Sequence, residues 1–136
     1  MAEHVKHLFV YGTLMRGQAN HGRFCAAALT IEPAVTTGCL YHLPMGFPAM
    51  LEADDGKVFG EAMTFPDLDA VLKQTDLLEG YDALRPDTSM YRRIAVPVLI
   101  EPSDRRVTAW TYVWNRVLPQ GATLLPRGRW RDHWIR

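Results

Sequence analysis

A chain of 136 residues with 48% hydrophobic, 22% charged and 10% aromatic residues lies in the globular range, away from disordered and collagen-like compositions. Surface scaling lets a chain of this size bury about two-thirds of its unfolded surface, so one core and one domain over residues 1–136 are expected, with 126–136 an Arg/Trp-rich C-terminal tail. Lys+Arg and Asp+Glu number 15 each, which removes the net field that a phosphate-backbone binder relies on and makes nucleic acid an unexpected partner.

The first apolar stretch, Leu8 to Tyr11, is too short for a secretory core or a membrane span, which need about 7 and 18 or more apolar residues. A cytoplasmic protein with no membrane partner is therefore expected. Val5 to Tyr11 is β-rich and ends at Gly12, as a strand running into a turn does. Arg16 to Asn20 reads as a loop whose Asn20 is a candidate N-cap for a short Ala-rich helix over Phe24 to Leu29. Ala34 to Leu43 favours a strand, Pro44 to Pro48 a loop, and Lys57 to Phe65 a second extended segment after an Asp-Asp-Gly turn.

Asp67 then caps a helix predicted to run to about Glu79, with Gly80 at the C′ position. After a polar loop containing Arg85-Pro86-Asp87, the segments Met90 to Ile100 and Val107 to Trp114 form a predicted hairpin joined by Pro102-Ser103-Asp104. The order of elements implies an α+β domain, and a closed or nearly closed sheet follows because one main helix cannot cover both faces of so many strands. Trp110, Tyr112 and Trp114 share a strand face, while Trp130 and Trp134 belong to a tail expected to be a terminal helix laid over the sheet. Cys25, placed on a helix, and Cys39, placed on a strand, read as reduced, packed thiols. No Cys-x-x-Cys pair occurs and the histidines are scattered apart from His4 and His7, so no metal site is expected.

Three places carry candidate chemistry. On the helix after Asp67, a turn of about 100° per residue puts Leu68, Val71, Leu72 and Thr75 in one inward stripe, with Glu79 about 20° from Leu68. A carboxyl aimed inward is desolvated, which raises its pKa toward the range of a general acid/base. The alternative is that Glu79 reaches past the helix end and pairs with an arginine such as Arg92. Tyr11-Gly12-Thr13-Leu14 is either an ordinary strand-to-loop turn or a nest whose N–H groups converge on an anion. In Tyr91-Arg92-Arg93, strand alternation puts Tyr91 and Arg93 on one face, where Tyr91 either orients a ligand or is a core tyrosine held by one hydrogen bond.

Taken together, Phe9-Val10-Tyr11-Gly12-Thr13-Leu14, Arg16-Gly17-Gln18, Asn20-His21, Asp76-Leu77-Leu78-Glu79-Gly80-Tyr81 and Tyr91-Arg92-Arg93 strongly resemble the gamma-glutamylcyclotransferase-like (AIG2-like) superfamily over roughly Phe9 to Val113. The Tyr-Gly-Thr-Leu-x-x-Gly-Gln-x-Asn-His stretch is most similar to its gamma-glutamylamine cyclotransferase branch, and Leu43-Pro44 with Gly46 to Ala49 resembles its pocket-lining loop. The resemblance implies a mixed β-barrel with flanking helices, a small-molecule gamma-glutamyl substrate, no cofactor and no metal. It further implies substrate binding by Tyr11, Gly12, Thr13 and Leu14 and catalysis by Glu79, with Tyr91 a further substrate-binding candidate. The implied reaction is attack of the substrate's α-amine on its own γ-carbonyl, giving 5-oxoproline and a released amine or amino acid. A non-catalytic small-carboxylate-binding module of the same fold is the alternative. Thr75, the loop Tyr81 to Met90 and the tail after Pro126 depart from the family pattern and are expected to border the leaving-group side of the pocket.

Overall fold

A computed structural model describes residues 4–131. Five strands close into a barrel in the order β1 (His7–Val10), β5 (Lys57–Thr64), β2 (Thr30–Thr37), β6 (Tyr91–Ile100) and β7 (Arg105–Trp114). The closing seam is parallel, His7 against Ala109 and Leu8 against Trp110; the other four pairings are antiparallel. Closure leaves this sheet without a free edge, and its interior is filled by apolar side chains such as Phe9, Ala62, Val98 and Ile100, which share one face of the wall and are all essentially fully buried. A second sheet of β4 (Pro48–Leu51), β3 (Cys39–His42) and β8 (Thr123–Leu124) stands beside it. The fold is thus the expected α+β barrel with flanking helices.

The main helix, α2 (Leu68–Glu79), has the predicted bounds. The Asp67 side chain accepts the Ala70 N–H at 3.1 Å, and Gly80 closes the other end in the left-handed conformation at φ 66°. The hairpin β6–β7 pairs from Tyr91 with Trp114 to Ile100 with Arg105, around the predicted turn.

Three elements differ from expectation. The first helix, α1, spans His21–Phe24 rather than Phe24 to Leu29. Alanine propensity contributes only tenths of a kcal/mol per residue, and here the chain is drawn into β2 instead: the Leu29 N–H donates to the Thr64 carbonyl at 2.7 Å. Cys25 consequently lies just after the helix, buried, while Cys39 is on β3 and half-buried; both are free thiols. The expected strand Ala34 to Leu43 is two strands that part at Gly38 and join different sheets, and β4 begins at the proline that was expected to end a loop. In the tail, Trp130 is buried and stacks on His42 at 5.3 Å between ring centroids. The tail is irregular up to Arg129, and Trp134 lies outside the described residues.

Candidate active site

The strand β1 delivers Tyr11 to Leu14 to the mouth of a cavity of about 300 Å³. The same cavity is lined by Leu78 and Glu79 from the last turn of α2, Met90 just before β6 and Tyr91 at its start, and Tyr112 from β7. Phe47 and Pro48 form a further wall. All six residues singled out in the sequence as site candidates, Tyr11, Gly12, Thr13, Leu14, Glu79 and Tyr91, therefore line one cavity.

Glu79 is half-buried, and the face it leaves open borders this cavity. Among the described residues its carboxyl has no hydrogen-bond or ion-pair partner. The surface pair with Arg92 does not form: Arg92 lies 3.9 Å from Glu52, and Arg93 is bound to Asp76. Without a compensating cation, burial disfavours the ionised form and raises the Glu79 pKa from 4.5 to about 7.

The turn after β1 offers donors. The N–H groups of Gly12, Thr13 and Leu14 donate to no acceptor among the described residues. The turn is nonetheless fixed. Asn20 donates its backbone N–H to the Thr13 carbonyl at 2.8 Å and its side-chain amide to the Thr13 hydroxyl at 3.0 Å. The His21 Nδ1 is 3.0 Å from the Leu14 carbonyl. Gly12 meets Pro48 so closely that an added Cβ would be 2.4 Å from the Pro48 Cγ. Asn20 was predicted as an N-cap; it stands at that position, but its side chain holds the turn and makes no cap bond.

The tyrosines supply acceptors rather than donors. The Tyr11 hydroxyl donates to the Tyr112 carbonyl at 2.5 Å, and the Tyr91 hydroxyl donates to the Pro48 carbonyl. Each phenol has one proton, and both are engaged with backbone; the Tyr11 oxygen also accepts from the Met50 backbone, which leaves it one lone pair, while Tyr91 keeps two. Burial together with the Glu79 charge pushes both hydroxyls above the ordinary tyrosine pKa, so they stay neutral. Tyr91 is thus a buried tyrosine anchored by one hydrogen bond, and it also lines the cavity.

Asn20, Phe47, Pro48, Met90 and Tyr112 line the cavity without having been read from the residues as site members. The resemblance pointed to Phe47 and Pro48 through the Gly46 to Ala49 loop and to Met90 through the Tyr81 to Met90 loop, and its motif contains Asn20. Of the three departures from the family pattern, the Tyr81 to Met90 loop reaches the cavity through Met90; Thr75 and the described tail do not line it. Among the described residues, no three His, Cys, Asp or Glu side chains cluster as a metal site requires, and no helix is long and apolar enough to cross a membrane.

Comparison with known proteins places this architecture. The family model described as gamma-glutamyl cyclotransferase, AIG2-like, matches residues 8–132. A gamma-L-glutamyl-butirosin B gamma-glutamyl cyclotransferase from Niallia circulans is 34% identical over 109 residues, covering 80% of this chain and 67% of that protein. The crystal structure of YkqA from Bacillus subtilis superposes with a TM-score of 0.67 at 26% identity; the match covers 96% of this chain but only 41% of YkqA. An AIG2-like protein from Mus musculus superposes with a TM-score of 0.63 at 26% identity over 86% of each chain. With the family model spanning nearly the whole barrel and its flanking sheet, the chain belongs to the gamma-glutamyl cyclotransferase, AIG2-like family.

Proposed function

We propose that this chain cyclises the gamma-glutamyl group of a gamma-glutamyl amine or gamma-glutamyl amino acid to 5-oxoproline, with Glu79 as general acid/base. The observation that carries the reading is that the unpartnered Glu79 carboxyl and the turn with three undonated backbone N–H groups line one cavity. Such a cavity is polar in two opposite senses. The Gly12 to Leu14 side suits the substrate's α-carboxylate, as successive main-chain donors do. The Glu79 carboxylate and the lone pairs of Tyr11 and Tyr91 suit its α-ammonium.

The chemistry follows from that placement. An α-amine of pKa about 8 is mostly protonated at neutral pH, so a proton must leave before the nitrogen can attack. A carboxyl poised near 7 can take that proton as well as return one. Once the first proton has passed to solvent, the amine nitrogen forms a bond to the γ-carbonyl carbon and gives its second proton to the Glu79 carboxylate; as the tetrahedral centre collapses, the bond from that carbon to the leaving nitrogen breaks and Glu79 returns this proton to the departing nitrogen, whose amine takes up a further proton from solvent. Because ring closure is intramolecular, holding the glutamyl chain folded supplies much of the acceleration, about 7 kcal/mol or more for well-oriented groups.

The test is a panel of gamma-glutamyl amines and gamma-glutamyl amino acids assayed for 5-oxoproline. Release from at least one compound is expected, and Glu79→Gln should lower the rate at least about 100-fold while changing affinity only a few-fold. Full activity in Glu79→Gln would sink the catalytic role. Tight binding with no product in either protein would instead identify a non-catalytic small-carboxylate-binding module.

A further inference from the structure

We infer that Asp76 is a positioning residue for Glu79: with Arg93 and Tyr112 it pins the last turn of α2, so that the Glu79 carboxyl is held against the cavity rather than turned to solvent. The inference rests on the reading of Glu79 as the acid/base. Asp76 is one turn before Glu79 on the same helix and does not itself line the cavity. Its Oδ1 accepts from the Arg93 Nε at 2.8 Å and from the Tyr112 hydroxyl at 2.6 Å, and its Oδ2 accepts from the Arg93 Nη2 at 3.2 Å. The pair is largely shielded, with side-chain exposures of 18% for Arg93 and 19% for Asp76. A two-pronged charge-assisted pair of this kind fixes orientation as well as distance.

The proton count fixes the rest of the network. Because the Tyr112 hydroxyl spends its one proton on Asp76, the Thr75 hydroxyl, 2.6 Å away and fully buried, is the donor to Tyr112. Tyr112 in turn lines the cavity and accepts the Tyr11 hydroxyl on its backbone carbonyl. Helix and cavity wall are therefore tied at one residue.

The other side of Glu79 is held by the same arginine. Beyond Glu79, the Tyr81 N–H returns to the Asp76 carbonyl at 2.9 Å and the Gly80 N–H to the Leu77 carbonyl at 3.3 Å, closing the helix. The Arg93 guanidinium lies 5.6 Å from the Tyr81 ring centroid and 4.6 Å from that of Trp110. Glu79 thus sits between two anchors that converge on Arg93.

The ionisable groups bordering Glu79 are Tyr11 after β1, Tyr91 on β6 and Tyr112 on β7, with Asp76 on its own helix and Arg93 already bound to Asp76; among the described residues no Lys, Arg or His lines the cavity. Loosening the network wets the Glu79 carboxyl and returns it toward ordinary acidity, which gives a readout that simple loss of stability does not.

The experiment follows the Glu79 side-chain carboxyl by carbon NMR through a pH titration, alongside kcat and KM, in the wild type, Asp76→Asn and the milder Tyr112→Phe. In Asp76→Asn the midpoint should fall by at least one pH unit, and kcat should drop about 10- to 100-fold with KM within threefold. Tyr112→Phe, which removes one donor and keeps the ring, should shift both in the same direction by less. Should Asp76→Asn fail to fold, Tyr112→Phe decides alone. An unchanged midpoint in the folded variants, whatever their stability, overturns the positioning role. The titration needs no turnover, so a wild type that releases no 5-oxoproline counts against the proposed reaction alone, while the midpoints still decide what holds Glu79.

Discussion

At Glu79 the protonation of one carboxyl and the stability of the fold form a single equilibrium. Burial raises its pKa from 4.5 to about 7, so between these values the folded chain binds a proton that the unfolded chain has released. The contribution is fully present below about pH 4.5 and is lost as pH rises through about 7, to a maximum of about 3 kcal/mol. Glu79→Gln is uncharged at every pH and should escape this loss. Urea unfolding of both proteins at pH 5 and pH 8 is expected to show the variant gaining relative to wild type at the higher pH; a constant difference would mean that the carboxyl ionises freely in the fold. The inward aim of this residue was legible because helical period alone relates Glu79 to Leu68. Its freedom from an arginine was not, because Arg93 is recruited by Asp76 across 17 positions, a pairing that depends on how α2 lies on the barrel.

Among the elements, α2 was readable from end to end because its signals are local: a side-chain cap at Asp67 and a glycine at position 80. The latter carries a test. At φ 66° a side chain is strained, and an added Cβ would come within 3.3 Å of the Met90 Cβ. Gly80→Ala should therefore cost about 1–2 kcal/mol in urea unfolding, with kcat reduced because the same cap fixes the residue beside it. An unchanged unfolding midpoint would show that the helix end relaxes without strain. The elements that escaped sequence reading owe their existence to distant partners. β4 is a four-residue strand starting at Pro48 that pairs with β3, and β8 has only two residues, paired with Tyr41 and His42 some 80 positions away. In α1 the reverse holds, since an alanine run with good local propensity yields to the pairing of Thr30 with Thr64.

Across the whole molecule, the tail joins the two sheets, and that connection reaches the cavity. The Leu125 N–H donates to the Leu40 carbonyl on β3, while the Gly128 carbonyl accepts the Phe59 N–H of β5 in the barrel. Two of the tail's arginines are used within the chain: Arg129 lies 4.0 Å from the Phe59 ring centroid, and Arg131 donates to the Arg16 carbonyl at 2.8 Å, beside the donor turn. Trp130, 3% exposed, stacks on His42 at the end of β3. His42 pairs with Pro48, whose ring packs on Gly12 and whose carbonyl accepts from Tyr91. Removing the indole should thus act twice: Trp130→Ala is expected to lower stability by about 3–5 kcal/mol and, in the folded fraction, to raise KM more than it lowers kcat, because the turn proposed to cradle the substrate's carboxylate loses its backing while Glu79 stays on α2. Urea titration paired with steady-state kinetics at a temperature where the variant remains folded separates the two effects. A destabilised variant with unaltered KM would leave the tail a purely structural strap.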